Sequence, residues 1–403
     1  MIHLIQGLPL DLFSRLHTAK MDRETYSLTG TENLISPALI YYRDIILSNT
    51  DRILVMAEGP EYLWPHVKSH KCAEMIRMQI ALGIIRFKCA TIAEAEMTAA
   101  AGANHIILAY PLIGPNIIRF LKLTAAFPDT QFYAIGDNFD QLSILAAEAE
   151  KQQLGVNLLI DVNMGMNRTG ISLDLLETFY EQCAILKGIT VKGLHCYDGQ
   201  RTDPDIESRR KSVMEGDIRV NTILDSLKSK GLECELMVMG GTPAFPCRCY
   251  DKTPPLRPVY LSPGTLFIGD WTSYQGLPEL YNKPTPPFAF VPGAAVFCRV
   301  VSHAGPGNTF TIDLGHKGIA ADPAGDRGII AGLPEAKPLF QSEEHWVFTL
   351  PENIQRPPIG SDCYVIPAHI CPTSALYPEI LVAQDGRIVD TWQVDARNRK
   401  INY

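Results

Sequence analysis

The sequence predicts an α/β fold: a (β/α)8 TIM barrel over residues 36–270, followed by a mostly-β domain over 271–403. Three observations carry this. Between residues 36 and 270, short β-branched or aromatic runs alternate with longer stretches rich in Ala, Glu and Leu, the pattern of βαβ units on a parallel sheet. Beyond residue 270 helical periodicity fades, Pro278, Pro284, Pro286, Pro287, Pro292 and Gly293 crowd together, and short strand-like runs take over. A chain of 403 residues, 46% of them hydrophobic, is long and apolar enough for two or three domains with cores of their own.

The first predicted strand is Leu-Ile-Tyr-Tyr at 39–42, followed by a helix at 44–58. Strands at 62–67, 85–89, 105–110 and 131–135 lead into helices at 72–82, 92–101, 116–126 and 139–153. Strands at 157–162 and 189–197 precede helices at 173–186 and 204–230, a strand at 235–239 reaches a glycine turn, and 258–260 is a short last strand. Eight or nine such units over about 235 residues fit a closed barrel better than an open doubly wound sheet, which remains the alternative. In the β domain, strand-like runs fall at 295–301, 309–313, 345–350, 361–366, 379–383 and 388–393. Residues 1–35 fit neither pattern and are expected to pack against the β domain.

Composition excludes several classes. With 36 basic against 44 acidic side chains the net charge is −8, and no basic run is present, which argues against a nucleic-acid or anionic-membrane surface. Apolar runs are broken by charge before they could span a bilayer. Met1–Phe13 has no basic residue ahead of its apolar stretch, so a secretion signal is not expected and a cytoplasmic location is. The ten cysteines are scattered and read as reduced core thiols, with Cys371 and the Cys247–Cys249 pair set aside.

Five clusters carry chemistry. Trp64-Pro65-His66-Val67-Lys68-Ser69-His70-Lys71-Cys72 ends a predicted strand. Barrel active sites form at strand carboxyl ends, and a lysine there bonds a carbonyl once burial or nearby cations lower its pKa. His66, His70 and Lys71 would be those cations; a solvated basic loop has the same composition. Val238-Met239-Gly240-Gly241-Thr242-Pro243 ends another strand, where small residues let backbone amides converge on an anion and Thr242 adds a hydroxyl. Ser262-Pro263-Gly264-Thr265 is a second compact turn, and two turns after the last strands match the usual barrel phosphate site, although ordinary turns read alike. Within Asp161–Gly170, Arg168 suits a carboxylate or a cofactor oxygen, or is a surface arginine on a structural turn. In the β domain, His369 and Cys371 stand two apart, on one side if the chain is extended. Imidazole and thiolate suit a borderline cation such as Zn²⁺ and leave positions open for water and substrate; a chance pairing is the other reading.

In order along the chain, Pro-His-Val-Lys-Ser-His-Lys (65–71), Asn-Met-Gly-Met-Asn-Arg-Thr-Gly (163–170), Gly-Gly-Thr-Pro (240–243), Pro-Gly-Thr (263–265), Ser-Glu-Glu-His (342–345) and His-Ile-Cys (369–371) resemble the D-threonine aldolase / D-serine dehydratase family. That family lies within the alanine-racemase-like, fold type III pyridoxal phosphate enzymes. The resemblance runs from about residue 36 to the C-terminus. It implies a barrel that binds pyridoxal phosphate and a β domain that completes the site, usually in a homodimer. Lys68 would bond the cofactor, with His66, Arg168 and Tyr197 around its ring and Gly240, Gly241, Thr242, Gly264 and Thr265 near its phosphate. His369 and Cys371 would hold a divalent metal, zinc in the dehydratases, and the cysteine leans toward that branch.

There are departures. After Tyr197 the chain reads Asp198-Gly199-Gln200-Arg201-Thr202-Asp203, without the histidine that aldolases use on the substrate hydroxyl; Asp198 or Asp203 would have to replace it. Ser262 stands where alanine racemases have an arginine against the pyridine nitrogen. Trp64 replaces the usual arginine before Pro-His and, with the His316-Lys317 turn, is a candidate for shaping the substrate pocket. The expected activity is a pyridoxal phosphate- and metal-dependent lyase on a D-3-hydroxy amino acid, giving a 2-oxo acid and ammonia by β-elimination. Retro-aldol cleavage to glycine and an aldehyde is the alternative. A non-catalytic pyridoxal phosphate carrier and a metal-free racemase are disfavoured by the β domain and its His369–Cys371 pair.

Overall fold

The computed structural model describes residues 21–250, 259–281 and 289–403. The expected start of the last barrel strand at 258 and the packing of 1–20 lie outside the described residues. The chain forms two compact units. One is Leu54–Gly264 with Asp395–Tyr403; the other is Thr265–Val394 with the described residues up to Ile53.

This division corrects the expected boundary at residue 36. The first strand, β1 (Ala38–Tyr42), is not a barrel stave. It pairs antiparallel with β9 (Ala294–Ser302), Leu39 opposite Val296, and parallel with β15 (Glu379–Gln384), Ile40 opposite Leu381. A strand buried on both faces reads as a continuous apolar run in either kind of sheet, so the sequence does not say which sheet owns it.

The Leu54–Gly264 unit holds seven parallel strands in sequence order: β2 (Arg86–Cys89), β3 (His105–Leu108), β4 (Gln131–Gly136), β5 (Val156–Asp161), β6 (Ile189–Cys196), β7 (Leu236–Met239) and β8 (Val259–Leu261). The ring is closed by residues 63–66. Trp64 N–H donates to Leu261 O at 2.8 Å, His66 N–H to Pro263 O at 3.0 Å, and Lys88 N–H to Pro65 O at 2.8 Å. Pro65 has no N–H to give, so this eighth stave pairs only by single bridges, Leu63 with Leu261 and His66 with Lys88. Helices begin where a polar cap follows a strand. Thr91, Asn138 and Asp205 side chains accept from the N–H of Glu94, Gln141 and Ser208 at 3.1, 3.1 and 2.9 Å.

The interior is filled by Trp64, Ile107, Tyr133, Ile135, Leu159 and Val238. Trp64 is fully buried, its ring 5.4 Å from that of Tyr133. It is a core residue of the barrel and not, as expected, a pocket wall. No helix among the described residues is long and apolar enough to cross a membrane.

The other unit is a nine-stranded sheet. β9 and β1 lie at its centre, with β10 (Thr309–Ile312) on β9 and β16 (Arg387–Gln393) on β15. β11 (Gly328–Ile330) and β12 (Lys337–Gln341) were not anticipated; they pair with β14 (Asp362–Pro367) and β13 (Trp346–Thr349). Tyr26, Leu28, Ile40, Phe297 and Ile366 share one core cluster, so Tyr26 and Leu28 pack in this unit. None of the ten cysteines forms a disulfide among the described residues.

Candidate active site

The segment that closes the barrel delivers the lysine cluster. Lys68 is half-buried in a short 3-10 turn, Val67–Ser69, capped by His66, whose Nδ1 accepts from Lys68 N–H at 3.4 Å. Gly264 makes this approach possible: a Cβ there would lie 3.1 Å from His66 Cβ. The expected cationic neighbours are corrected. Burial, with Lys88 and Lys68 adding to it, drives His66 well below the usual imidazole range, and burial takes His70 down to about 3. Both imidazoles are therefore neutral at pH 7. Lys71 is spent on the buried Glu94 carboxylate.

The cations that do face this end come from elsewhere. Lys88 on β2 is buried, its Nζ 3.5 Å from His195 Nε2 and 5.3 Å from the Tyr197 ring centroid. His195 Nδ1 is 2.7 Å from Asp161 Oδ1, and the two residues are register partners on β6 and β5. Arg168 lies 5.0 Å from the same Tyr197 ring and lines a small cleft with Asp161 and Tyr197. Its turn is organised by Asn163, whose Oδ1 accepts from Gly165 and Asn167 N–H at 2.9 and 3.1 Å. Asp161 Oδ2 is buried with no hydrogen-bond partner among the described residues. Sequence reasoning missed Lys88 and His195. Their signal is a lone charged or polar residue at a buried place in a strand, Phe-Lys-Cys and Leu-His-Cys.

The glycine turn follows β7. Gly240 has φ +77°, and a Cβ on Gly241 would come within 2.7 Å of Tyr197 Cε2. Thr242 Oγ1 accepts from Gly264 N–H at 3.4 Å, which brings the two predicted turns together. The unanticipated short helix Phe245–Tyr250 adds Arg248. Its guanidinium pairs with Asp217 through two contacts, 3.0 and 2.7 Å, and with Asp198 at 2.8 Å. Burial opposes the charge, but Asp198 and Asp217 outweigh it and hold the Arg248 pKa up. Its Nη1 is buried without a hydrogen-bond partner among the described residues, 3.1 Å from where a Gly240 Cβ would be. Ser262 gives its proton to Trp64 O at 2.7 Å, so it can only accept from a further group.

In the β unit, His369 is the N-cap of a helix, Ile370–Leu376, and Cys371 lies in its first turn. The expected extended chain is thus corrected, yet the two side chains still meet. A hydrogen bond to Cys371 and one to Asp322 at 2.5 Å outweigh burial and bring His369 up to about 9. Thr265 belongs to this unit, its Oγ1 3.3 Å from Cys371 Sγ. In the His316-Lys317 turn His316 is half-buried, and the exposed Lys317 is paired to Glu343 at 2.5 Å. Among the described residues the one trio of ligand atoms within 4.8 Å is Cys72, Glu74 and Asp395. Asp395 there caps Ala73 N–H at 3.0 Å, and burial holds the Cys72 thiol protonated.

The sequence model for the alanine racemase N-terminal domain matches residues 43–255, more than half of the chain. The chain belongs to this family. A putative serine dehydratase domain matches residues 293–383. A D-threonine aldolase of Arthrobacter sp. is 26% identical over 341 residues, covering 83% of this chain and 85% of that protein. The D-threonine aldolase structure from Filomicrobium marinum superposes with TM-score 0.80 at 23% identity, over 91% of this chain and 96% of that one. The D-threo-3-hydroxyaspartate dehydratase structure from Delftia sp. HT23 gives TM-score 0.75 at 20% identity, over 90% and 98%. A variant of that dehydratase has been solved in a metal-free form.

For this alanine racemase family member, the residues present fit an anionic aldehyde cofactor. Gly240 and Gly241 leave a cradle that a Cβ would fill, and beside it Arg248 Nη1 is a buried donor with no hydrogen-bond partner among the described residues. Arg168 adds positive charge, and of the lysine cluster Lys71 is committed to Glu94. In the β unit, one imidazole and one thiol in contact, with Asp322 fixing the imidazole, form a donor set that suits a borderline divalent cation.

Proposed function

We propose that the chain is a pyridoxal phosphate- and metal-dependent lyase of D-3-hydroxy amino acids, and that its reaction is β-elimination of the D-serine dehydratase type. Lys68 would bond the cofactor and act as the base at Cα. The amides of Gly240 and Gly241 and Arg248 Nη1 would bind its phosphate, and Arg168 and Tyr197 would flank its ring. Bound pyridoxal phosphate supplies an electron sink for charge developing at Cα. His369 and Cys371 would hold the metal, zinc in this reading, which supplies Lewis acidity toward a departing hydroxyl. A homodimer is proposed from the family resemblance.

One observation carries elimination over retro-aldol cleavage. Cleavage needs a base on the substrate hydroxyl, and the candidate Asp198 is buried on Arg248 at 2.8 Å. Asp203 is an exposed loop residue whose Oδ1 accepts from Asp205 N–H at 3.0 Å. The aldolase reading stays as the alternative because one of the similar proteins is a D-threonine aldolase. The test supplies pyridoxal phosphate, zinc and a panel of D-3-hydroxy amino acids. Release of a 2-oxo acid with ammonia supports the proposal; glycine with an aldehyde, and no oxo acid, refutes it.

A further inference from the structure

The turn that carries Lys68 is held from outside itself. Within it, His70 and Lys71 N–H both donate to Val67 O, at 3.1 and 2.9 Å, and Cys72 N–H donates to His70 Nδ1 at 3.2 Å. Lys71 closes the turn with φ +54°, in the left-handed region that a residue with a Cβ keeps only when its surroundings hold it there. Three contacts do so. The Lys71 amine pairs with the buried Glu94 carboxylate, Lys71 O accepts from Ala396 N–H at 3.1 Å, and Asp395 Oδ2 accepts from Ala73 N–H at 3.0 Å. Ala73 and Asp395 are 322 positions apart in the chain.

The segment that reaches back, Asp395–Tyr403, follows the last strand of the β unit yet packs with the barrel unit. Its far end is anchored on two barrel helices. Glu96, on the helix Ile92–Ala100 that also carries Glu94, is 3% exposed. Both its oxygens accept from Asn402 N–H at 3.1 Å; Oε1 also accepts from Asn402 Nδ2 at 2.5 Å, and Oε2 from Tyr403 N–H at 3.2 Å. Arg119, on the helix Pro115–Ala126, donates through Nη2 to Arg399 O and Tyr403 O at 3.0 and 2.7 Å. A buried carboxylate is costly unless it is hydrogen-bonded, and Glu96 meets that need with the N–H groups of one segment. The reaction proposed above uses neither Glu96 nor Asp395.

We propose that Asp395–Tyr403 is a strap that positions Lys68, with Asp395 and Ala396 as its working end and Glu96 and Arg119 as its anchor. This deepens the cofactor reading above and rests on it. Asp395 is a positioning residue: it acts through the backbone just after Lys68. With the strap in place the turn keeps one arrangement, and the Lys68 amine approaches the cofactor from one place. Without it Lys71 relaxes out of the left-handed region and the Lys68 side chain starts from a spread of places, which lowers the effective concentration of its amine at the cofactor.

The experiment uses full-length protein freed of cofactor, as wild type, Asp395→Ala and Asp395→Asn. Hydrogen exchange with mass spectrometry reads the Val67–Ala73 amides, absorbance titration reads pyridoxal phosphate affinity, and borohydride trapping reads the lysine. In Asp395→Ala the Val67–Ala73 amides exchange faster while those of β4 and β5 keep their protection. Affinity falls about three- to tenfold, the worth of one hydrogen bond. Asp395→Asn keeps an oxygen for Ala73 N–H and restores both. Unchanged exchange in Asp395→Ala overturns the strap. Faster exchange with unchanged affinity, the label still on Lys68, overturns its positioning role. Label on another lysine in the wild type overturns the cofactor reading instead. Should Asp395→Ala fail to fold, Arg119→Met loosens the anchor and leaves the turn itself untouched; faster exchange at Val67–Ala73 supports the strap and none overturns it.

Discussion

Replacing Arg248 with Met tests the charge arrangement beneath the glycine turn. Arg248 makes contacts of 3.0 and 2.7 Å to Asp217 and 2.8 Å to Asp198, and the three side chains are 7%, 18% and 2% exposed. At these distances each carboxylate gains about 6 kcal/mol of attraction at an effective dielectric of 20, partly offset by desolvating the guanidinium. Removing the arginine strands two carboxylates, one of them fully enclosed. Breaking a buried pair from one side costs about 3–5 kcal/mol. Urea denaturation measures the loss, and Asp198→Asn in the same background should recover part of it. A loss under about 1 kcal/mol would refute the reasoning.

Four further outcomes follow from the same geometry. Gly241→Ala brings a Cβ within 2.7 Å of the Tyr197 ring, which also has Lys88 and Arg168 within 5.3 and 5.0 Å of its centroid. Pyridoxal phosphate affinity should fall at least tenfold by absorbance titration, with a stability cost of about 1–3 kcal/mol. Lys88 binds its proton more weakly folded than unfolded, so stability should climb as pH rises from about 7 toward the ordinary lysine range. Its slope there is at most about 1.4 kcal/mol per pH unit, and Lys88→Met should flatten it in chemical denaturation. Cys371→Ser should lose stoichiometric metal by elemental analysis while retaining pyridoxal phosphate. Asp322→Asn, which loosens His369, should weaken metal binding about 10–100-fold.

The repeating strand–helix pattern was legible because each barrel strand is a short apolar run ended by a polar cap. Ownership of β1 was not, because Leu-Ile-Tyr-Tyr is buried on both faces and either sheet would accept it. The closing stave was legible as a strand, but Pro65 reduces its pairing to two bridges. His369 and Cys371 were found for a reason that the structure does not bear out. The chain turns into a helix at Ile370, and the pair meets because a helix N-cap and its first turn are neighbours. The cations around Lys68 were misassigned because charge in a sequence is not charge in a fold. His66 and His70 are buried neutral and Lys71 is neutralised, whereas Lys88 came from a strand read as apolar.

Asp198 links stability to the choice of reaction. A carboxylate serves as base on a substrate hydroxyl only if it can leave its partner and meet the substrate. Here it is enclosed and 2.8 Å from Arg248, so moving it would give up that cation and leave Arg248 to Asp217 alone. Nη1 of the same arginine, with no hydrogen-bond partner among the described residues, lies beside Gly240, where a phosphate would satisfy it. Filling that place would add negative charge to Arg248 and weaken its hold on Asp198. Retro-aldol activity, if any, should therefore rise with mutations that loosen the Asp198–Arg248 pair. Arg248→Lys keeps the charge but loses the planar fork that reaches both carboxylates and the turn. A larger glycine fraction among its products than in wild type would place the reaction choice in this pair; an unchanged ratio would place it elsewhere.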